Sequence, residues 1–183
     1  MGQVTTVTDA KSHTTTYTYN DQHQCISVTD PDGKTTSYAY DSHGRVSSMT
    51  DPLQNTTTFQ YDDLNRLVSV TDALSNTTSY TYDKEGHLLT VTDPLDRTHS
   101  LTYDNEYRMT SVTNPLDQTT TYTYFPFGPL QSITNPLSQS VTYDYDQGGR
   151  MVSFTDIQNR TSSFVYDTLD RLTQATDSQS RSI

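Results

Sequence analysis

Material for helices is scarce in this 183-residue chain, which holds only 2 glutamates, 3 lysines and 4 alanines, all residues that helix interiors favour. Its single cysteine, Cys25, excludes an internal disulfide and leaves the redox compartment open. No apolar run reaches membrane-spanning length. The opening residues Met1-Gly2-Gln3-Val4-Thr5-Thr6 lack the charged start and apolar stretch of a signal peptide. Basic residues number 11 against 22 acidic ones, a formal net charge of −11, and they are spread thinly, which argues against a surface that tracks nucleic-acid phosphates. Leu, Ile, Val and Phe together number 33; that share, about 18%, belongs by itself to a disordered chain.

What the chain does hold points elsewhere. It has 35 threonines and 14 tyrosines, far more β-branched and aromatic residues than a solvating tail carries. These residues recur with a fixed period, the signature of a repeat architecture. Thr occupies positions 8, 29, 50, 71, 92, 113, 134, 155 and 176, always 21 residues apart, and Asp follows it except at Asn114 and Asn135. In the same frame stand Tyr19, Tyr40, Tyr61, Tyr82, Tyr103, Tyr124, Tyr145 and Tyr166. Two residues before each comes Tyr17, Tyr38, Phe59, Tyr80, Leu101, Tyr122, Tyr143 or Phe164. A later slot holds Arg45, Arg66, Arg108, Arg150 and Arg171, with Gln24, His87 and Pro129 in the other copies. The slot after that is apolar or Cys throughout.

Each unit reads as two strands and two turns. Thr35 to Tyr40 alternates with period two, which places Thr36, Tyr38 and Tyr40 on one face. Asp41-Ser42-His43-Gly44 forms a turn, and the slot filled by Gly44, Gly86, Gly128 and Gly149, or by Asn65 and Asp170, is where a positive φ is expected. A second strand follows, Arg45 to Thr50, and Asp-Pro or Asn-Pro then opens the next turn with Pro at its second position. Val46 and Met49 lie three apart, so an ideal strand would put them on opposite faces; a bulge or a two-sided strand is expected there.

This unit resembles the Rhs or YD-repeat family, with Tyr40-Asp41, Gly44-Arg45-Val46 and Thr50-Asp51-Pro52 as one clear copy and Tyr166-Asp167, Arg171-Leu172 and Thr176-Asp177 as another. The resemblance covers residues 1–183 as a single array of about eight and a half units. It implies tandem β-hairpins in a spiralling sheet, a shell around a polymorphic toxin or other cargo, and a secreted or cell-surface location. No nonrepetitive stretch of this chain reads as cargo or as a catalytic domain. The sixth copy departs from the pattern, with Tyr124-Phe125-Pro126-Phe127-Gly128-Pro129.

The expected fold is therefore all-β, a curled antiparallel meander of hairpins. About 16 strands at ~4.8 Å would extend roughly 75 Å, whereas the alternative, a β-solenoid with one rung per 21 residues, would extend about 40 Å. In either arrangement the tyrosines at 19, 40, 61, 82, 103, 124, 145 and 166 form an aromatic ladder whose stacking substitutes for the missing Leu and Ile.

Candidate chemistry is thin. Cys25 sits in a slot otherwise held by Val, Leu and Met and reads as packing. The five histidines show no metal-ligand spacing, the aspartates read as markers whose carboxylates accept turn amides, and nothing matches a calcium loop. The sequence thus predicts no enzyme, no cofactor and no metal. The Arg row is expected to pair with the Asp that follows Tyr. Asn55, Asn76 and Asn159 head sequons that matter only where the host glycosylates. Open strand edges would join further shell of a parent protein or copies of the chain itself. A self-assembling filament, or an adhesion or carbohydrate-binding module contacting glycans through exposed Tyr rows, is the rival reading.

Overall fold

The computed structural model describes residues 2–126 and 128–179; Met1, Phe127 of the sixth copy, and positions 180–183 at the end of the expected array lie outside the described residues. The chain forms two compact units, one comprising residues up to Gly86 with Val91–Arg97 and the other His87–Thr90 with residues from Thr98 onward. The first contains β1 (Thr6–Thr8), β2 (Thr14–Tyr19), β3 (Cys25–Thr29), β4 (Thr35–Tyr40), β5 (Val46–Thr50), β6 (Thr56–Tyr61), β7 (Leu67–Thr71) and β8 (Thr77–Tyr82). After β9 (Leu88–Thr92), the second contains β10 (Thr98–Tyr103), β11 (Met109–Thr113), β12 (Thr119–Tyr124), β13 (Leu130–Thr134), β14 (Ser140–Tyr145), β15 (Met151–Thr155), β16 (Thr161–Tyr166) and β17 (Leu172–Thr176). No helix occurs among the described residues.

Both units are built of antiparallel sheet. Within each unit every strand pairs antiparallel with the next in sequence, from β1 to β8 and from β10 to β17. Each 21-residue repeat supplies two strands joined by tight turns, so the meander is the architecture and the one-rung solenoid is not.

Both turns of a repeat use the same three-residue hairpin. At Asp41 the amide donates to the Arg45 carbonyl (2.9 Å) and the Gly44 amide donates back to the Asp41 carbonyl (3.0 Å). At Asp51 the same pair of bonds joins Asn55 and Gln54 at 2.9 and 3.0 Å. Such a loop is a type I turn followed by one left-handed residue. The left-handed position is filled by Gly44 (φ 80°), Asn65 (64°) and Asp170 (62°), as expected, and also by His23 (66°) and Tyr107 (65°). The second row, in the Thr-Asp turns, runs through Ser12, Gly33, Gln54, Ser75, Asp96, Asp117, Ser138 and Asn159, all with positive φ.

The aspartate opening each turn holds this shape. Asp51 Oδ1 accepts the amides of Leu53 (2.8 Å) and Asn55 (2.9 Å). Asn114 does the same for Leu116 (2.9 Å) and Gln118 (3.0 Å), which is why Asn can stand for Asp at positions 114 and 135.

The spacing of Val46 and Met49 is resolved by a bulge. Ala39 faces Ser48 but Tyr40 faces Val46, so Ser47 is the extra residue. The bulge brings Val46 and Met49 to one face, opposite Tyr40 and Tyr38. Six further tyrosine hairpins of the two units show the same shift. One face of the sheet therefore carries aromatic–aliphatic cross-strand pairs, Tyr61 with Leu67, Phe59 with Val70 and Tyr19 with Cys25 among them, the kind of pair that stabilises sheets. The other face carries hydroxyls that bond across strands, such as Thr29 with Thr35 (2.9 Å), Thr50 with Thr56 (2.8 Å) and Thr123 with Ser132 (2.7 Å).

Nothing packs over either face to make a core: among the described residues none is fully buried. Cohesion must come from contacts between neighbouring hairpins.

The left-handed turn position gives a direct test. An added Cβ at Gly33 (φ +79°) meets nothing within 4 Å, so Gly33→Ala isolates the conformational cost. Urea unfolding is expected to show a loss of about 1 kcal/mol once the entropic gain from removing a glycine is subtracted, with Gly33→Asn costing less.

Candidate functional site

Chemistry-bearing side chains gather in the clefts between successive Tyr-Asp turns. Each ladder tyrosine ends the first strand of a hairpin and is half-buried. Its hydroxyl donates back 15 residues to a backbone carbonyl: Tyr19 to Val4 (2.8 Å), Tyr40 to Cys25 (2.6 Å), Tyr61 to Val46 (3.0 Å) and Tyr82 to Leu67 (2.8 Å). In the second unit Tyr103, Tyr124 and Tyr166 reach Leu88, Met109 and Met151 at 3.0, 2.8 and 2.9 Å. Tyr145 is met instead by Phe125, edge-on at 6.1 Å between ring centroids.

The arginine row closes these clefts. Arg45 first pairs with Asp41 of its own turn, Nε to Oδ2 at 2.7 Å. Its Nη1 then crosses to the next repeat, donating to the Asp62 carbonyl (3.0 Å) and Asn65 Oδ1 (2.8 Å), while the guanidinium lies 4.6 Å from the centroid of the Tyr61 ring. Arg66 repeats this on the Asp83 carbonyl and Tyr82 (4.9 Å), Arg108 on the Phe125 carbonyl and Tyr124 (4.5 Å), and Arg150 on the Asp167 carbonyl and Tyr166 (5.0 Å).

The ladder is thus not ring upon ring. Successive ladder positions are two strands apart, about 9.6 Å, beyond the 4.5–7 Å at which rings stack. In these four clefts the planar guanidinium fills the gap, which suits arginine better than lysine because it can stack and hydrogen-bond at once.

Where the row lacks arginine, the cleft changes. His87 stacks on Tyr107 (4.8 Å) and tilts against Tyr103 (5.1 Å). Gln24 sends Nε2 to the Gly44 carbonyl (3.2 Å), and a cleft of about 510 Å³ opens beside it, lined by Asn20, Gln22, Gln24, Tyr38, Tyr40 and Asp41 among others. Beside Pro129 another opening of about 310 Å³ is lined by Phe125, Pro126, Tyr145 and Gln147 among others.

The carboxylates are held ionised by their turns. The Arg66 backbone amide is the main cause that lowers the Asp62 pKa, with the Arg66 side chain assisting, against a smaller opposing effect of burial. The Arg150 side chain does this for Asp146. At Asp41 burial pushes upward most strongly, but the hydrogen bonds from the Arg45 amide, the Arg45 side chain and the His43 amide, with the Arg45 charge, outweigh it. Among the described residues no cluster of His, Cys, Asp or Glu could hold a metal ion.

Of the sequon residues, Asn55 and Asn76 are exposed, with Nδ2 donating to Asp51 and Asp72 at 2.9 Å each. Asn159 is exposed at a left-handed turn position. Cys25 is half-buried as a free thiol opposite Tyr19. The crossing of Arg45, Arg66, Arg108 and Arg150 to the next repeat's tyrosine was not read from sequence; the signal for it was the shared 21-residue period of the two rows.

Sequence models extend this reading: that of the RHS Repeat matches residues 2–35, 19–56, 40–77 and 61–98, and that of the Teneurin YD-shell matches residues 98–181. This chain belongs to the RHS repeat family. Its YD repeats also superpose on solved structures. The crystal structure of TcdB2-TccC3-Cdc42 matches with a TM-score of 0.72 at 17% identity, over 93% of this chain and 12% of that one. TcdB2-TccC3 without its hypervariable C-terminal region matches at 0.69 and 18%, with the same coverage. At that identity the likeness shows the fold, and this YD-repeat chain spans 12% of the length of the chains it resembles. Among curated proteins none matches.

Two predictions test the cleft. Arg97 pairs with Asp93 as Arg66 does with Asp62, but its side chain is 61% exposed against 24% for Arg66. Arg66→Ala is therefore expected to cost about 1–2 kcal/mol in urea unfolding, Arg97→Ala well under half of that, and Tyr82→Phe about 1 kcal/mol for its lost hydrogen bond. Because turn aspartates such as Asp41, Asp51, Asp62, Asp72, Asp93 and Asp146 have folded pKa values below their unfolded ones, the stability they add is present above the unfolded value near 4 and lost as pH falls through the folded values. The urea midpoint should hold from pH 7 to 5 and drop below pH 4.

Proposed function

We propose that this chain is a non-enzymatic wall segment of a YD-repeat shell, a continuous array that encloses toxin or other cargo in a secreted or surface-exposed protein. The observation that carries the reading is that none of the described residues is fully buried while links such as Arg45 to Asp62 and Tyr61 to Val46 join each repeat to its neighbour. A sheet built that way can be lengthened repeat by repeat without rebuilding a core, which is what an enclosing wall requires and a catalytic domain does not. Membership of the RHS repeat family, together with the match of residues 98–181 to the Teneurin YD-shell, supports it. The ladder tyrosines serve structure in this reading. The partners are further shell of a parent protein, or copies of the chain, joined through strand edges, together with the cargo. Asn55, Asn76 and Asn159 are surface positions open to glycosylation where the host provides it.

Electron microscopy of the purified chain across a concentration series tests this. Discrete curved particles of constant size are expected. Regular filaments with an axial repeat commensurate with the array would overturn the shell reading in favour of a self-assembling fibre.

A further inference from the structure

The four arginine-filled clefts show what this architecture binds between two Tyr-Asp turns. In each, a guanidinium lies 4.5–5.0 Å from a tyrosine ring centroid and donates to the carbonyl of the residue opening the next turn. Where the fifth copy follows the fourth, His87 covers the corresponding ring, Tyr103.

The cleft between the first two Tyr-Asp turns is made from the same parts without the cation. Tyr40 has the ladder position and the same hydroxyl bond, to the Cys25 carbonyl. Asp41 opens the next turn, and among the described residues its carbonyl accepts only the turn bond from Gly44 (3.0 Å), as the Asp62 carbonyl accepts from Asn65 (3.1 Å) before Arg45 adds its own.

What differs is the pair at 20 and 24. Asn20 and Gln24 replace the Asp and Arg found at 41 and 45, and they bond each other through Asn20 Nδ2 and Gln24 Oε1 at 2.7 Å. The amide of Gln24, shorter than arginine, reaches the Gly44 carbonyl and stops there. The face of Tyr40 and the Asp41 carbonyl are left beside an opening of about 510 Å³. No cation of the cleft's own repels a guest: Asp41 is neutralised by Arg45 on the side of its own turn, and the chain's net charge of −11 draws cations toward it.

We propose that this cleft binds a guanidinium group supplied from outside, the arginine side chain of a partner polypeptide, which stacks on Tyr40 and donates to the Asp41 carbonyl as Arg45 does one repeat later on Tyr61 and Asp62. The inference is independent of the shell reading; it describes where a cargo, a neighbouring segment or another protein could be gripped.

The test is an NMR titration of the full chain with the peptide acetyl-Gly-Arg-Gly-amide, and with the same peptide carrying citrulline, which keeps the shape but not the charge. The arginine peptide is expected to give saturable shifts of the Gly44 amide and the Tyr40 ring, with at least tenfold weaker binding for citrulline. Methylguanidinium separates the sources: equal binding means that the bare ion suffices, and weaker binding means that the peptide contributes. The double variant N20D/Q24R supplies the cation from within. It should fold, melt at a higher temperature than the parent and lose peptide binding at least tenfold. Absence of saturable shifts, equal binding of citrulline, or undiminished binding by a folded double variant would each overturn the proposal.

Discussion

A sheet in which none of the described residues is fully buried must be held together from side to side, and the interaction on which the rest depends is the arginine that ties one repeat to the next. Arg45 serves two repeats: its Nε bonds the Asp41 carboxylate of its own turn, and its Nη1 and flat face reach the next turn's carbonyl and tyrosine. The tyrosine hydroxyl returns the link by donating to the carbonyl of the earlier repeat. Each bond is of modest strength, about 1 kcal/mol for a neutral hydrogen bond, but where they occur, at Arg45, Arg66, Arg108 and Arg150 and at the tyrosines facing them, both cross the boundary between hairpins and reinforce the backbone pairing there. The turn aspartates matter chiefly because they fix the geometry from which the arginine departs.

The same arrangement explains how a chain with so few large aliphatic residues folds. Apolar contact is confined to one face, where the bulge aligns Val46 and Met49 with Tyr40 and Tyr38. On the opposite face, threonine and serine hydroxyls bond across strands, and β-branched threonine keeps strand propensity high without exposing an apolar patch. A sheet made this way presents hydroxyls on one side and aromatic rings with their covering cations on the other.

Much of this was legible in the sequence, and the residues show why. The period placed every strand and turn, Gly44, Asn65 and Asp170 marked left-handed positions through their tolerance of positive φ, and the three-residue spacing of Val46 and Met49 called for the bulge at Ser47. The pairing of Asp41 with Arg45 was readable because both lie in one turn. The second row of left-handed positions was not, since only Gly33 in that row carries the glycine mark while Gln54 and Ser75 adopt the conformation under the constraint of the hairpin. Nor was the placement of Arg45 over Tyr61, a contact between residues 16 positions apart that depends on the packing of two turns. Sequence suggested tyrosines stacked on tyrosines; the two-strand spacing forbids it, and the guanidinium fills the distance.

If cohesion is a chain of nearest-neighbour links, damage must stay local. The most direct measurement is peptide-resolved hydrogen exchange on the chain with Arg150→Ala, compared with the parent. Protection should fall in β14 to β17, which flank the lost link, and remain in β10 to β12. A uniform loss across β10 to β17, or no loss at all, would contradict the account, the first by revealing a shared core and the second by showing that the arginine carries no cohesion.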